Sequence, residues 1–384
     1  MQSQKKIAIV ADWLTDRGGA EKVVLSLCDL YPEAQIFTSV FLAKNFPELK
    51  KHKIQQSFLR FLPNFIKKKH QFLLLFYPLA FKLFDLSKFD LVITSVSSGF
   101  AKCVKTKKTK QIHVCYCHSP VRFLYHEKEH YLKNYYLPWV LRWVKLFLPP
   151  VLWWLRTIDQ KSAKQVDFFV TNSHFTADRI KQIYRRQAEV IYPGGGEIFS
   201  RIPLVQKKGD FFLAAGRMVP YKNFPIIAEV FAKNKLNLKL VGNGPDKHKC
   251  QKITRKFTAK NITFLDFLPE TEFAQLLSRT RALIFLSKED FGITVVNSEL
   301  AGTPIIYLQS GGATEIVSEN SGVPIFSPET IQVQKAIDNF IKKESEFDSK
   351  EIRREGMRFT ERKFRENFEK FIEKKVSFNY SKNR

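Results

Sequence analysis

The sequence predicts an α/β protein made of two doubly wound parallel sheets, and three observations predict it. The chain has 384 residues, about twice an ordinary single domain, so two separate cores are expected. Short β-branched apolar runs recur along it: "KIAIVADW", "DLVITSV", "QIHVCYC" and "DFFVTNS", then "FFLAAGR", "LKLVGNG", "ITFLDF", "RALIFLS" and "PIIYL". A stretch rich in Gly, Pro and charge, "VIYPGGGEIFSRIPLVQKKGD" at 190–210, interrupts the series, and a new strand follows at once.

Most of the runs are apolar throughout rather than alternating, the pattern of strands covered on both faces, and the gaps between them leave room for helices. Strand, helix, strand repetition implies parallel pairing with right-handed crossovers. The expected domains are therefore 1–200 and 201 onward. At the end of the chain, "EIRREGMRFTERKFRENFEKFIEKK" has helical periodicity with Phe359, Phe364, Phe368 and Phe371 on one face, a helix that clasps one domain to the other.

The formal charge is +26, and residues 51–150 alone hold 18 basic against 4 acidic residues. In "FLRFLPNFIKKKHQFLLLFYPLAF" and "YYLPWVLRWVKLFLPPVLWWLR" the charge is interleaved with aromatic side chains, which favours an anionic membrane surface over nucleic acid. The competing reading buries these aromatic stripes in the core. No uncharged run reaches the ~18 residues of a spanning helix, and "MQSQKKIAIVADWL" enters a strand without a signal-peptide pattern. The expected location is cytoplasmic, peripheral on the inner face of the membrane, with Lys67, Lys68 and Lys69 in the docking surface. Five cysteines without framework spacing suggest reduced thiols. "HVCYCH" sets His113, Cys115 and Cys117 on one strand face with His118 just beyond, and the absence of a second ligand cluster favours core cysteines over a metal site.

In such sheets ligands bind beyond the carboxyl ends of the strands, so the loops there carry the chemistry. In "DWLTDRGGAEKVV", Gly18 and Gly19 precede a helix beginning near Ala20 and can present amides to a ligand, although two such glycines also make a plain turn. The dinucleotide fingerprint and a Walker lysine are both absent. His118, in "CHSPVRFLYH", stands at a strand end where an imidazole can act in a cleft or simply pack in a loop. Arg217 and Lys222, in "LAAGRMVPYKN", suit a clamp on two phosphates whose charge grows as a glycosyl bond breaks, or a solvated basic loop. In "LSKEDFGITVVNSELAGTP", Thr294 is expected to cap a helix ending near Gly302, with the Gly292, Ile293 and Thr294 amides aimed at an anion. Glu289 above it and Asn297 in its first turn are both placed to reach hydroxyls.

With these residues in place, "GGAEKVV", "YCHSPVRFLYH", "TNSHFTADRI", "GRMVPYKN", "LVGNGPD", "KEDFGITVVNSELAGTPII" and "GGATEIV" follow one another along the whole chain. In this order they resemble the retaining nucleotide-sugar glycosyltransferases of family 4, the group 1 glycosyltransferases, most of all bacterial mannosyltransferases of surface polysaccharide synthesis. The resemblance implies the GT-B architecture, two Rossmann-like doubly wound parallel-sheet domains facing a central cleft. The acceptor side would be 1–200, with a helix at about 358–378 packing back on it, and the donor side 201–357.

The resemblance further implies that Arg217 and Lys222 hold the donor diphosphate and Glu289 contacts the transferred sugar. Gly292, Ile293 and Thr294 would support the phosphates, Gly18 and Gly19 border donor and acceptor, and His118 sit by the reacting carbon. It implies no metal and no cofactor other than the donor substrate, GDP-mannose or a UDP-hexose, and a saccharide or lipid-linked acceptor. Two departures stand out. The family has a second glutamate, on the nucleotide ribose, where this chain has Asn297, an exchange worth ~1–2 kcal/mol of donor binding. It also has a proline and an aspartate in the interdomain segment where Gly194, Gly195 and Gly196 stand here, which suggests either a looser hinge or an altered acceptor edge. Three functions follow: a mannosyltransferase, a UDP-dependent hexosyltransferase, and a catalytically weak GT-B partner at the membrane.

Overall fold

The computed structural model describes residues 5–68, 73–107, 111–125 and 144–382. The chain forms two compact units, Met1–Tyr192 with Arg365–Arg384, and Pro193–Phe364. The first division lies before the expected residue 200, because the short helix Glu197–Arg201 packs on helices of the second unit. The second falls inside the C-terminal helix rather than ahead of it.

The first unit holds a seven-stranded sheet: β1 (Ile7–Ala11), β2 (Gln35–Thr38), β3 (Ile54–Gln56), β4 (Leu91–Ser97), β5 (Ile112–Ser119), β6 (Phe168–Thr171) and β7 (Ala188–Val190). The second holds six: β8 (Phe211–Ala215), β9 (Asn237–Val241), β10 (Ile262–Leu265), β11 (Leu283–Phe285), β12 (Ile305–Leu308) and β13 (Gly322–Ile325). The spatial orders are β3-β2-β1-β4-β5-β6-β7 and β10-β9-β8-β11-β12-β13, and every recorded pairing is parallel. In both sheets the order reverses beside the first strand, at β1/β4 and at β8/β11, which is where doubly wound folds open a crevice.

The helices used below are α1 (Gly19–Leu30), α2 (Val144–Ala163), α3 (Glu270–Arg279), α4 (Ile293–Leu300), α5 (Ser349–Gly356) and α6 (Glu361–Lys382). From Arg365 onward α6 belongs to the first unit. There its Phe368 meets Tyr116 and its Phe371 meets Phe168, with ring centroids 6.4 and 6.3 Å apart. Arg365 faces Asp29 and Lys375 faces Glu189.

The aromatic, basic stretches divide between core and surface. Leu59, Tyr77, Phe81 and Leu155 are buried in the first core, whereas Phe61, Phe65, Leu83 and Trp153 are 77, 69, 64 and 69 % exposed. Residues 69–72 and 126–143, which include Lys69, lie outside the described residues. All five cysteines are buried thiols. Burial pushes the His113 imidazole down to about 3, so it stays neutral in the core. Among the described residues no helix is long and apolar enough to cross a membrane.

One buried charge pair organises the end of the first sheet. Lys102, on the 3-10 turn Ala101–Cys103, pairs with Asp159 of α2, and both side chains are fully buried. The Tyr125 hydroxyl donates to the other carboxylate oxygen at 2.9 Å. Removing one partner strands a charge in the core, so Lys102→Met should cost the first unit about 3–5 kcal/mol in urea denaturation. Lys102→Met with Asp159→Leu should recover most of that loss.

Candidate functional site

The β8/β11 reversal carries most of the residues singled out in the sequence. Beyond β8 the chain turns at Gly216, whose φ of +133° is open to glycine but not to ordinary side chains. A Cβ there would come within 2.8 Å of Lys222 Nζ, so the glycine also makes room for that cation. Arg217 follows on the surface. Asn223, in the left-handed region at φ 57°, donates from Nδ2 to the Leu286 carbonyl at 2.8 Å and ties this loop to the end of β11.

That tie brings Lys222 against Glu289. Their side chains form an ion pair at 2.7 Å and are only 12 and 19 % exposed. The cation expected on phosphate and the carboxylate expected on sugar are thus one compensated pair in a largely covered place. The Glu289 carbonyl accepts from the Gly312 amide at 2.9 Å, so "GGATEIV" braces the acidic loop.

Helix α4 begins one residue before the expected cap. Gly292, at φ +108°, takes the cap position and Thr294 falls in the first turn, so the expectation of a threonine cap is corrected. A left-handed cap suits glycine, and Thr294 is left to present its amide with Ile293, two of the donors that a helix start leaves without intrahelical partners. Asn297 lies in the second turn, not the first, and is 6 % exposed. Its Oδ1 accepts from the Gly196 amide at 3.1 Å. Glu299 faces elsewhere: Oε1 accepts from Ser321 at 2.7 Å, and Oε2 has no hydrogen-bond partner among the described residues. Burial pushes its carboxyl up to about 7, against the Ser321 hydrogen bond and Arg358.

The β1/β4 reversal holds the first unit's group. α1 starts at Gly19 with Gly18 as its cap, and the Gly18 amide donates to Glu21 Oε2 at 3.0 Å. Gly19 is therefore the glycine whose amide lacks that internal acceptor. Just past β1, the Asp12 carboxylate accepts from the Ser97 amide at 2.6 Å and the Ala101 amide at 2.7 Å. Burial raises Asp12 to about 6 and Glu21 to about 7, with these amide contacts pulling the other way. Asp12, Trp13, Glu21, Ser95 and Ser97 line a cavity of about 10 Å³, which is the size of one water.

His118 lies within β5 rather than beyond it. The β4/β5 register shifts from Cys117 to Ser119, so His118 is the extra residue of a bulge, a device that re-aims a side chain. Its Nε2 shares a hydrogen bond with Ser95 Oγ at 2.9 Å, and its ring lies 4.8 Å from that of Tyr116. Ser95 thus links His118 to the cavity beside α1. The sequence reading passed over Asp12, Glu21 and Ser95. A lone acid directly after an apolar strand was the available signal for Asp12. Among the described residues no cluster of His, Cys, Asp and Glu is placed to hold a metal ion.

Two family models match the chain, Glycosyltransferase Family 4 over residues 17–194 and Glycosyl transferases group 1 over residues 197–358. The human alpha-1,3/1,6-mannosyltransferase ALG2 is 23 % identical over 290 residues, 67 % of this chain and 66 % of that protein. The Escherichia coli O-antigen chain mannosyltransferase C is 25 % identical over 114 residues, 29 % of this chain and 31 % of that one. The match thus spans less than two thirds of either relative. Among solved structures, Anabaena Alr3699/HepE in complex with UDP superposes with a TM-score of 0.70 at 15 % identity, covering 96 % of this chain and 100 % of that one. The sucrose-phosphate synthase of Thermosynechococcus elongatus gives 0.70 at 14 % identity, covering 97 and 100 %. These structural likenesses concern the fold.

A raised carboxyl means that the folded chain holds its proton more tightly than the unfolded chain does. For Glu299 the stability contribution is therefore present below about pH 4.5 and is lost as pH rises through about 7. Glu299→Gln should remove that part of the slope, gaining up to about 3 kcal/mol at pH 8 and little at pH 4 in urea denaturation across a pH series.

Proposed function

Because the chain belongs to the family 4 and group 1 glycosyltransferases, we propose that it transfers a hexosyl group with retention of configuration, mannose from GDP-mannose, to a saccharide or lipid-linked glycan in surface polysaccharide synthesis. The observation that carries the reading is the convergence of Lys222, Glu289 and the first turn of α4 at one sheet reversal. The names of the human and E. coli relatives favour mannose. A UDP-hexose donor is the second reading, favoured by the UDP complex of the Anabaena protein.

In this reading Arg217 and Lys222 stabilise the charge that develops on the departing diphosphate, in place of a metal ion, with the α4 amides adding to them. An arriving diphosphate draws Lys222 partly from Glu289, which leaves that carboxylate to accept from sugar hydroxyls. The bond from the anomeric carbon to the phosphate oxygen breaks. The acceptor oxygen then bonds to the same face, and the departing phosphate oxygen takes its proton. His118, fixed by Ser95, serves near the reacting carbon, and Gly18 and Gly19 border the substrates.

The same reading places the protein on the inner face of a membrane. Phe61, Phe65, Leu83 and Trp153 supply apolar contact, and Arg60, whose guanidinium lies 4.6 Å from the Phe61 ring centroid, supplies charge for anionic lipid. Binding to phosphatidylglycerol vesicles should fall steeply with added salt and should be lost in Phe61→Ser/Phe65→Ser. Salt-insensitive absence of binding would rule out this surface.

Calorimetric titration with GDP-mannose, UDP-glucose, GDP and UDP tests the donor. One nucleotide class should bind selectively, and Arg217→Ala should weaken it about tenfold to a hundredfold, the loss expected for charge-assisted hydrogen bonds. A folded wild type that binds no nucleotide at millimolar concentration would leave the binding-partner function in its place.

A further inference from the structure

We propose that Asn297 is a positioning residue: its side-chain oxygen latches the Gly194–Gly196 segment onto helix α4, and the amide does not serve as a ligand for the donor ribose. The proposal concerns the second unit alone and stands apart from the donor reading.

The three glycines make the latch possible. None of them has a positive φ, so they are not needed for an unusual backbone. They are needed for space. A Cβ at Gly194 would lie 2.4 Å from Glu361 Cα, and one at Gly196 would lie 2.6 Å from Glu270 Oε1 on α3. A Cβ at Gly195 would lie 2.6 Å from Leu300 Cδ1, 2.7 Å from Val296 Cγ1 and 2.9 Å from Asn297 Oδ1. All three of those atoms belong to α4. The segment is therefore threaded between α4 and the start of α6: a side chain at Gly194 would meet backbone, and one at Gly195 would push the α4 side chains aside.

Hydrogen bonds hold it on both sides. The Gly195 amide donates to the Phe359 carbonyl at 2.8 Å, and the Gly196 amide donates to Asn297 Oδ1 at 3.1 Å. A buried amide left without an acceptor is costly, so the Gly196 amide engages one lone pair of the Asn297 oxygen and holds that side chain in place. A glutamate at 297 would add a methylene and a charge at a position only 6 % exposed and pressed against Gly195. The shorter side chain and the glycine run are thus one contact, and the helix they fix is the one that presents the Gly292–Thr294 amides.

Hydrogen exchange read by mass spectrometry on peptides overlapping 194–199 tests the latch directly. Asn297→Ala and Gly195→Val should each speed exchange of the Gly196 amide about threefold to tenfold, while Asn297→Asp, which keeps the acceptor although it adds a charge, should exchange more slowly than Asn297→Ala. Unchanged exchange in Asn297→Ala would overturn the proposal, and Asn297→Ser replaces that variant if it does not fold. The second arm compares GDP with 2′,3′-dideoxy-GDP by calorimetry. The factor lost on removing the ribose hydroxyls should be the same in wild type and Asn297→Ala. If that factor collapses to one in Asn297→Ala, the amide binds ribose and the proposal fails. If neither nucleotide binds the folded wild type, the donor reading fails and the exchange result alone decides the latch.

Discussion

The strand order reverses beside β1 and beside β8, and everything in the two candidate groups depends on that constraint. At each reversal the neighbouring connections leave in opposite directions, so the carboxyl ends of two adjacent parallel strands are not roofed by one crossover. Backbone and side chains that end there must find partners across the gap. In the first sheet Asp12 collects the Ser97 and Ala101 amides across it, and in the second Lys222 meets Glu289. Both candidate groups sit where the fold leaves polar groups to be paired by loops.

Holding such groups still is costly in a covered place, and the first unit shows how it is done. Ala101, which donates to Asp12, shares a three-residue turn with Lys102, and Lys102 is fixed in the core by Asp159. The buried pair, weak as a source of net stability, has high value as a peg because either charge alone would be far worse. It fixes the turn, the turn fixes Asp12, and Ser95 on the adjoining strand fixes His118. Functional side chains keep their geometry only when packing and hydrogen bonds behind them lock their rotamers, and this chain of contacts would supply that to the candidate group.

The legible part of the fold was its covered part. "IAIVA", "LVITSV" and "FFLAA" are apolar on both faces, so a doubly wound architecture followed from them. β2, β3, β7 and β13 were not visible, because "QIFT", "IQQ", "AEV" and "GVPI" are short and mix polar residues, glycine or proline with their apolar ones. Three of these four are sheet edges, where polar residues and proline are tolerated. Among the candidate residues, Arg217, Lys222 and Glu289 stood out in the sequence as charges in loops that follow apolar strands. Their pairing was not, since it spans two loops that only the sheet brings together. Thr294 was misplaced because a left-handed glycine took the cap ahead of it. Asn297 was recognisable as odd, while its partner lies 101 residues away.

The glycine run at 194–196 shows why such a distance hides meaning. Three consecutive glycines suggest a loose hinge, since each loses more backbone entropy on ordering than alanine does, by roughly 0.5–1 kcal/mol. That cost favours disorder only where ordering brings no contact in return. Here the missing side chains let the backbone reach within van der Waals distance of α4 and the α6 start, and the amides of Gly195 and Gly196 are both accepted. Dispersion over a close backbone approach and two satisfied amides offset the entropy. A carboxylate in place of Asn297 would offer the same acceptor to Gly196, but with a charge to desolvate and a longer stem to accommodate. The amide and the glycines are therefore mutually conditioned, and neither departure from the family pattern is intelligible without the other.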